Sequence, residues 1–206
     1  PDTRINTDFE HDSRSVSVLL LLDLSESLND IVEATNQSIL ELSQEAVSLL
    51  AWSVEQLGDN FAIAGFNSNT REQVMYYHIK GFSEHWDDTV KARLANLKAE
   101  YSTRMGAAIR HGTHYLNLQK SDKKLMLILT DGEPSDIDVN DSEMLIKDTH
   151  KAVQECQQKG MYPYCISLDN KADEYISDVF GSHYSVIDRI ESLPKELPQL
   201  FLSLTK

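Results

Sequence analysis

Residues 15–23 read SVSVLLLLD, an apolar run too continuous for a strand with one wet face. A strand of this kind needs cover on both sides, which is the situation of parallel sheets in α/β domains. FAIAGF (61–66), KLMLILTD (124–131) and YPYCISL (162–168) repeat the pattern. EQVMYYHIK (72–80) is more amphipathic and follows FAIAGF through the turn-like NSNTR, so it is expected to return as an antiparallel edge strand. HYSVI (183–187) is a short sixth strand.

Helical patterns separate these runs. Ile39, Leu42, Ala46, Leu49, Leu50, Val54 and Leu57 step by three and four up to a stop at Gly58. Thr89–Leu97, Met105–Leu118, Ser142–Lys159, Ala172–Phe180 and Leu193–Leu202 continue the alternation, with Gly160 and Gly181 placed as C-terminal stops. The order implies a doubly wound, mostly parallel sheet with one antiparallel edge strand and helices on both faces. Ligands of such sheets sit in the crevice beyond the carboxyl ends of the strands. With 206 residues and 41% hydrophobic content, one domain is expected over residues 15–206. Residues 1–14 read as a polar lead-in from a longer parent chain, without the apolar core of a signal peptide. No apolar run approaches the roughly 20 residues that span a bilayer, so a soluble domain with no membrane partner is expected.

Nineteen Lys and Arg against 33 Asp and Glu leave a net charge of -14, a field that repels nucleic acid and anionic lipid. Cations, basic surfaces, or ligands reached through a bound cation suit it better. Cys156 and Cys165 are the only cysteines and lack CxxC spacing, so they read as two buried free thiols of a reducing cytoplasm.

Two of the strands end alike, LLLLD at Asp23 and LMLILTD at Asp131. Parallel neighbours would deliver both carboxylates to one sheet edge. Asp23, Ser25 and Ser27 alternate through a tight turn, so that a carboxylate and two hydroxyls can converge. Hard oxygens without a nearby Cys or His suit Mg²⁺, and Mn²⁺ or Ca²⁺ less well. The plainer alternative is a helix N-cap cluster, for which Ser and Asp are favoured in any case. An enzyme alternative is a phosphatase-like or dehalogenase-like site, with a nucleophilic aspartate and a second acid two residues on. That second position is Ser25, which removes half of a two-carboxylate mechanism. A receiver-type phosphoacceptor would want an acidic pair ahead of the first strand's end, where this chain has leucines. The sequence contains no GxxxxGK[ST], GxSxG, HExxH or GxGxxG element. His111 and His114 share a helix face and read as surface histidines; Trp52 and Trp86 read as packing anchors.

DLSES, from Asp23 to Ser27, resembles the DxSxS motif that opens the metal-ion-dependent adhesion site of von Willebrand factor A domains. That family adds a threonine from a later loop and an aspartate usually read in TDG, which STRMGAAIR supplies as Thr103 and LILTDGEP as Asp131. The resemblance implies a non-enzymatic docking domain whose metal is completed by a carboxylate from a partner protein. Two aspartates leave a divalent ion close to neutral, and therefore still electrophilic towards an acidic partner despite the overall charge. Glu26, between the two serines, and Arg104 are candidate partner contacts. Asp136 and Asp138 are expected to brace the loop after Asp131 through local hydrogen bonds to backbone.

GDNFAIAGFNS, YYHIKGFSEHW, YSTRMGAAIRH, LILTDGEPSDIDV, DTHKAVQECQQKGMYPYCISLD and LPKELPQLF together resemble the C-terminal domain of the CbbO/NorD family of bacterial adaptor proteins. The resemblance implies work beside a MoxR-type hexameric AAA+ ATPase, with rubisco as the client on the CbbO side and nitric oxide reductase on the NorD side. NorD-type sequences carry a YEGRYG element after DIDV, where this chain has NDSEMLI, so the CbbO side is preferred. The departure falls in a loop, 139–146, expected to lie within reach of the client.

Overall fold

The protein is described here from a computed structural model covering residues 15–132, 134–136, 138–172 and 175–206; the expected lead-in 1–14 lies outside the described residues. Its elements run β1 (Val16–Asp23), β2 (Ile31–Val32), β3 (Gln37–Ser38), α1 (Ile39–Leu57), β4 (Asn60–Ser68), β5 (Val74–Lys80), α2 (Asp88–Ala95), α3 (Met105–Asn117), β6 (Lys123–Thr130), α4 (Ser142–Gln158), β7 (Tyr162–Ser167), α5 (Ile176–Phe180), β8 (Tyr184–Val186) and α6 (Leu193–Leu204). Six strands form one sheet in the order β5-β4-β1-β6-β7-β8, parallel except for β5, which pairs antiparallel with β4 at the edge. The doubly wound sheet and its single antiparallel edge are those expected from the strand patterns.

β1 is buried along its whole length, and its leucines divide between two cores as the alternation of a strand requires. Leu20 and Leu22 join Leu127, Leu129, Val54 and Phe201 under α1 and α6. Leu19 and Leu21 join Met126, Ile128, Ile109 and Val153 under α3 and α4. A run of four leucines is thus two interleaved pairs, each facing a different layer. The close approach of α3 to β1 depends on Gly112, where an added Cβ would stand 2.8 Å from the Leu19 Cδ2 methyl and 3.2 Å from the Met126 Cε methyl. Gly112→Ala is therefore expected to lower the unfolding free energy by about 1–3 kcal/mol through overpacking, although alanine is the better helix former; urea denaturation measures it.

Several local expectations are corrected. Leu49 and Leu57 on α1 are 46% and 39% exposed, and Trp52, expected as an anchor, is 60% exposed. The inward face of α1 instead uses Val47 and Ala51 beside Leu42, Ala46, Leu50 and Val54. The helix starts at an N-cap, with Ser38 Oγ accepting from Glu41 N at 3.1 Å, and ends at Gly58 with φ 72. Trp86 is half-buried against the α1/α6 core. The Ala172–Phe180 helix is shorter than expected, because Tyr175 N closes a turn onto Ala172 O ahead of α5. The β2–β3 hairpin carries no sequence signal beyond Asn36, which takes φ 53 in its turn.

Candidate functional site

β1 and β6 run in parallel with Leu22 opposite Leu129, so Asp23 and Asp131 emerge at the same sheet edge. Asp23 is 3% exposed. Its Oδ1 accepts from Ser25 N at 2.9 Å, closing the turn that brings Ser25 Oγ to 3.2 Å from Ser27 Oγ and 3.5 Å from Asp131 Oδ1. Thr103 Oγ1 donates to Asp23, 3.2 Å from Oδ1 and 3.3 Å from Oδ2. The five residues expected to form one site, Asp23, Ser25, Ser27, Thr103 and Asp131, are brought together. The helix-cap alternative does not account for them, since Ser25 begins the 3-10 turn Glu26–Asn29 without a side-chain capping bond.

One further residue belongs here. Thr130 Oγ1 donates to Asp23 Oδ2 at 2.7 Å, shorter than either Thr103 contact. Thr130 immediately precedes Asp131 and follows the last β1–β6 pair, Leu22 opposite Leu129; the signal was the residue before the aspartate in LTD.

The electrostatics are strained. Burial raises the Asp23 carboxyl above the ordinary aspartate range, opposed by the bonds from Thr130, Ser25 and Thr103. Asp131 is pushed up to about 6, first by burial and then by the charge of Asp23, with a hydrogen bond from Ser27 working the other way. Among the described residues no Lys or Arg forms an ion pair with either carboxylate. Nor does any group of three His, Cys, Asp or Glu side chains there come together as a metal nest, so a cation at this edge relies on hydroxyl donors as well. Two carboxylates and three hydroxyls are hard oxygen donors with a net charge that a divalent ion offsets, and the set fits Mg²⁺.

Arg104, expected to face a partner, is 8% exposed. Its Nε donates to Asp136 Oδ2 at 3.1 Å and its Nη2 to Asp138 Oδ1 at 2.5 Å, so the guanidinium is engaged within the chain. Within the loop Val139 N donates to Asp136 O at 3.3 Å, and the side chains of Asp136 and Asp138 also reach outside it. Asp136 Oδ1 accepts from Thr70 N at 2.8 Å and Asp138 Oδ2 from Arg71 N at 2.9 Å, tying the turn after β4 to the loop after Asp131. Thr103 and Ser135 exchange backbone bonds of 2.9 and 2.8 Å, which joins the loop before α3 to the same frame. Glu26 is exposed, with its backbone N donating to Tyr101 O at 2.9 Å. Within 139–146 the loop is confined to 139–141, and α4 begins at Ser142 as its helical pattern leads one to expect, capped by Asp141 through Glu143 N at 3.0 Å. His111 and His114 are both exposed, and the His111 ring packs 4.4 Å from Tyr76 and 5.1 Å from Tyr115.

Among solved structures, the PilB minor pilin of Streptococcus sanguinis superposes with a TM-score of 0.77 over 97% of this chain and 63% of its own, at 16% identity. The von Willebrand factor type A protein of Catenulispora acidiphila gives 0.62 over 91% of this chain and 42% of its own, at 17% identity. At such identities the likeness concerns the fold alone. In sequence, the chain is 35% identical to Protein NorD of Stutzerimonas stutzeri over 84% of its length, and 35% identical to Protein NorD of Brucella melitensis over 93%. An uncharacterized protein of Pseudomonas aeruginosa is 34% identical over 94%. The chain spans 28%, 30% and 32% of these three relatives. Two of them carry the NorD name, so the preference for the CbbO side drawn from residues 139–146 finds no support in them. The von Willebrand factor type A domain family matches residues 17–189, and the chain belongs to that family.

Proposed function

We propose that this chain is a non-enzymatic, metal-dependent docking domain of a NorD-type adaptor. Asp23, Ser25, Ser27, Thr103 and Asp131 would hold Mg²⁺, and a carboxylate of the client protein would complete its coordination. The observation that carries the reading is a pair of buried or half-buried carboxylates at one sheet edge, ringed by hydroxyls and, among the described residues, in no ion pair with Lys or Arg. Bound there, the ion supplies an electrophile for a client Asp or Glu. Asp23 fixes the turn through Ser25 N and is itself fixed by Thr103 and Thr130, so the donors are ordered by the fold rather than by a ligand.

The client we propose is nitric oxide reductase, and the remodelling motor a MoxR-type AAA+ ATPase; the support is the name of the relatives at 35% identity. Rubisco, the client on the CbbO side, serves as the comparison. The buried free thiols of Cys156 and Cys165 suit a reducing cytoplasm, where we place the domain. A phosphatase reading gains nothing from the geometry, because Ser25 occupies the place of the needed acid.

A pull-down tests the reading. Immobilised chain should retain nitric oxide reductase in Mg²⁺ and release it in EDTA, with rubisco retained in neither. Equal retention of nitric oxide reductase in both buffers would refute metal-dependent docking, and Mg²⁺-dependent retention of rubisco would return the domain to the CbbO branch.

A further inference from the structure

Three residues other than glycine among those described have positive φ: Asn36 at 53, Thr70 at 77 and Tyr101 at 65. Asparagine tolerates that region, whereas a β-branched threonine or a tyrosine is held there only by its surroundings. Both strained residues are tied to segments that carry proposed ligands. Thr70 precedes Arg71 in the turn between β4 and β5, and Tyr101 lies two residues before Thr103. Each is pinned through backbone to a segment that bears proposed ligands. Thr70 N and Arg71 N donate to Asp136 and Asp138, from the loop after Asp131. Tyr101 O accepts from Glu26 N, between Ser25 and Ser27, while Ser102 pairs with Ser68 at 2.8 and 2.9 Å.

The side chains so placed are open to solvent. Tyr101 is 47% exposed, and Arg71 is exposed with no carboxylate among the described residues in ion-pair contact. Arg93, Arg104 and Arg110 are all ion-paired. In a chain of net charge -14, a positioned arginine left open beside an acidic site is complementary to an acidic partner. Arg71 lines a groove of about 450 Å³ that combines Val74, Ala107 and the 55%-exposed Met144 with the ion-paired Arg104, Arg110 and Asp148. Tyr and Arg are the side chains that most often anchor interfaces, and rigid backbone beneath them lowers the ordering cost of binding.

Resting on the docking reading above, we infer that Arg71 and Tyr101 form a second grip on the client. Arg71 takes an acidic side chain additional to the one that reaches the metal, and Tyr101 packs on the client surface beside the Ser25–Ser27 turn. The occupant is a protein segment with two carboxylates and an apolar residue for the Met144 groove.

Selection of random dodecapeptides on the immobilised chain in Mg²⁺, with elution by EDTA, tests this without assuming a client. Eluted peptides should carry two acidic residues, and Arg71→Gln or Tyr101→Ser should weaken their binding about tenfold while leaving Mg²⁺-induced thermal stabilisation unchanged. Arg71→Gln is used because a new carboxylate at 71 would face Asp138. Peptides with a single acidic residue, bound equally by both variants, would overturn the second grip while leaving metal docking standing. Absence of any EDTA-eluted peptide would overturn metal docking and this inference with it. Mg²⁺-dependent dimerisation abolished by Arg71→Gln would assign the rim to a second copy and overturn the client.

Discussion

Asp131→Asn should raise the melting temperature of the chain in EDTA and abolish its stabilisation by Mg²⁺. The sign follows from the proton linkage. Asp131 is pushed up to about 6 in the folded chain from an ordinary value of 3.8, so the folded state holds the proton more tightly than the unfolded state. The resulting stabilisation is full below 3.8 and is lost as pH rises through 6. At neutral pH in EDTA the ionised pair opposes folding, by on the order of 1–2 kcal/mol once the partial exposure of Asp131 is discounted. Asparagine keeps the shape and removes the charge, which restores that amount. Mg²⁺ acts on the wild type in the opposite sense, adding about 2.7 kcal/mol at a hundredfold excess over its dissociation constant. For a domain of this size the gain amounts to roughly 5–10 °C. Scanning calorimetry of both proteins, with Mg²⁺ and with EDTA, should show the two curves crossing: wild type lower without metal and higher with it. A variant that is destabilised in EDTA, or still responds fully to Mg²⁺, would separate Asp131 from the cation.

The other large effect concerns Arg104. Arg104→Met should lower the unfolding free energy by about 3–5 kcal/mol, because it strips the Asp136 carboxylate, with no side-chain exposure, of its charged partner. Removing a single member of a buried pair costs more than the pair contributes, since the remaining charge has lost its water as well as its partner. Urea denaturation reads the loss. A paired change, Arg104→Met with Asp136→Asn, should recover part of it, as a double-mutant cycle requires of interacting groups. Proteolysis should also find the turn at residues 69–73 in Arg104→Met, because Thr70 N and Arg71 N bond to the two carboxylates that Arg104 fixes. A loss below 1 kcal/mol would mean that the frame around the site does not depend on this clamp.

These two residues mark how far the sequence reached. The convergence of Asp23 and Asp131 was legible because β1 and β6 are each continuous apolar runs that stop at an aspartate, and parallel pairing follows from cover on both faces. Ser25 and Ser27 followed from local spacing, and the expectation of Mg²⁺ from their hard oxygens, while Thr103 came from the DxSxS resemblance. What was not legible is the set of contacts between segments. Arg104 reads as a free cation at a helix start until the fold sets Asp136 beside it, 32 residues away in sequence. Asp136 reads as a loop brace until Thr70 arrives, 66 residues away. Trp52 failed differently. α1 is apolar around more of its circumference than the sheet can cover, and periodicity alone cannot say whether Val47 or Leu49 turns inward. The positive φ of Tyr101 has no signal at all, because tyrosine is among the residues that avoid it.

The donors of the site are drawn from positions 23–27, 103 and 131, and this scatter has a kinetic meaning. Positions 23–27 and 131 meet only when β1 and β6 pair, and Thr103 joins them only when the segment before α3 is in place, so a cation would find the full donor set only on a chain whose long-range topology is complete. A ligand of that kind contributes after the folding barrier rather than before it. If Mg²⁺ binds there as proposed, it should act as a latch on the finished domain, leaving the folding rate much as it was and slowing unfolding, which stopped-flow measurements with and without EDTA read.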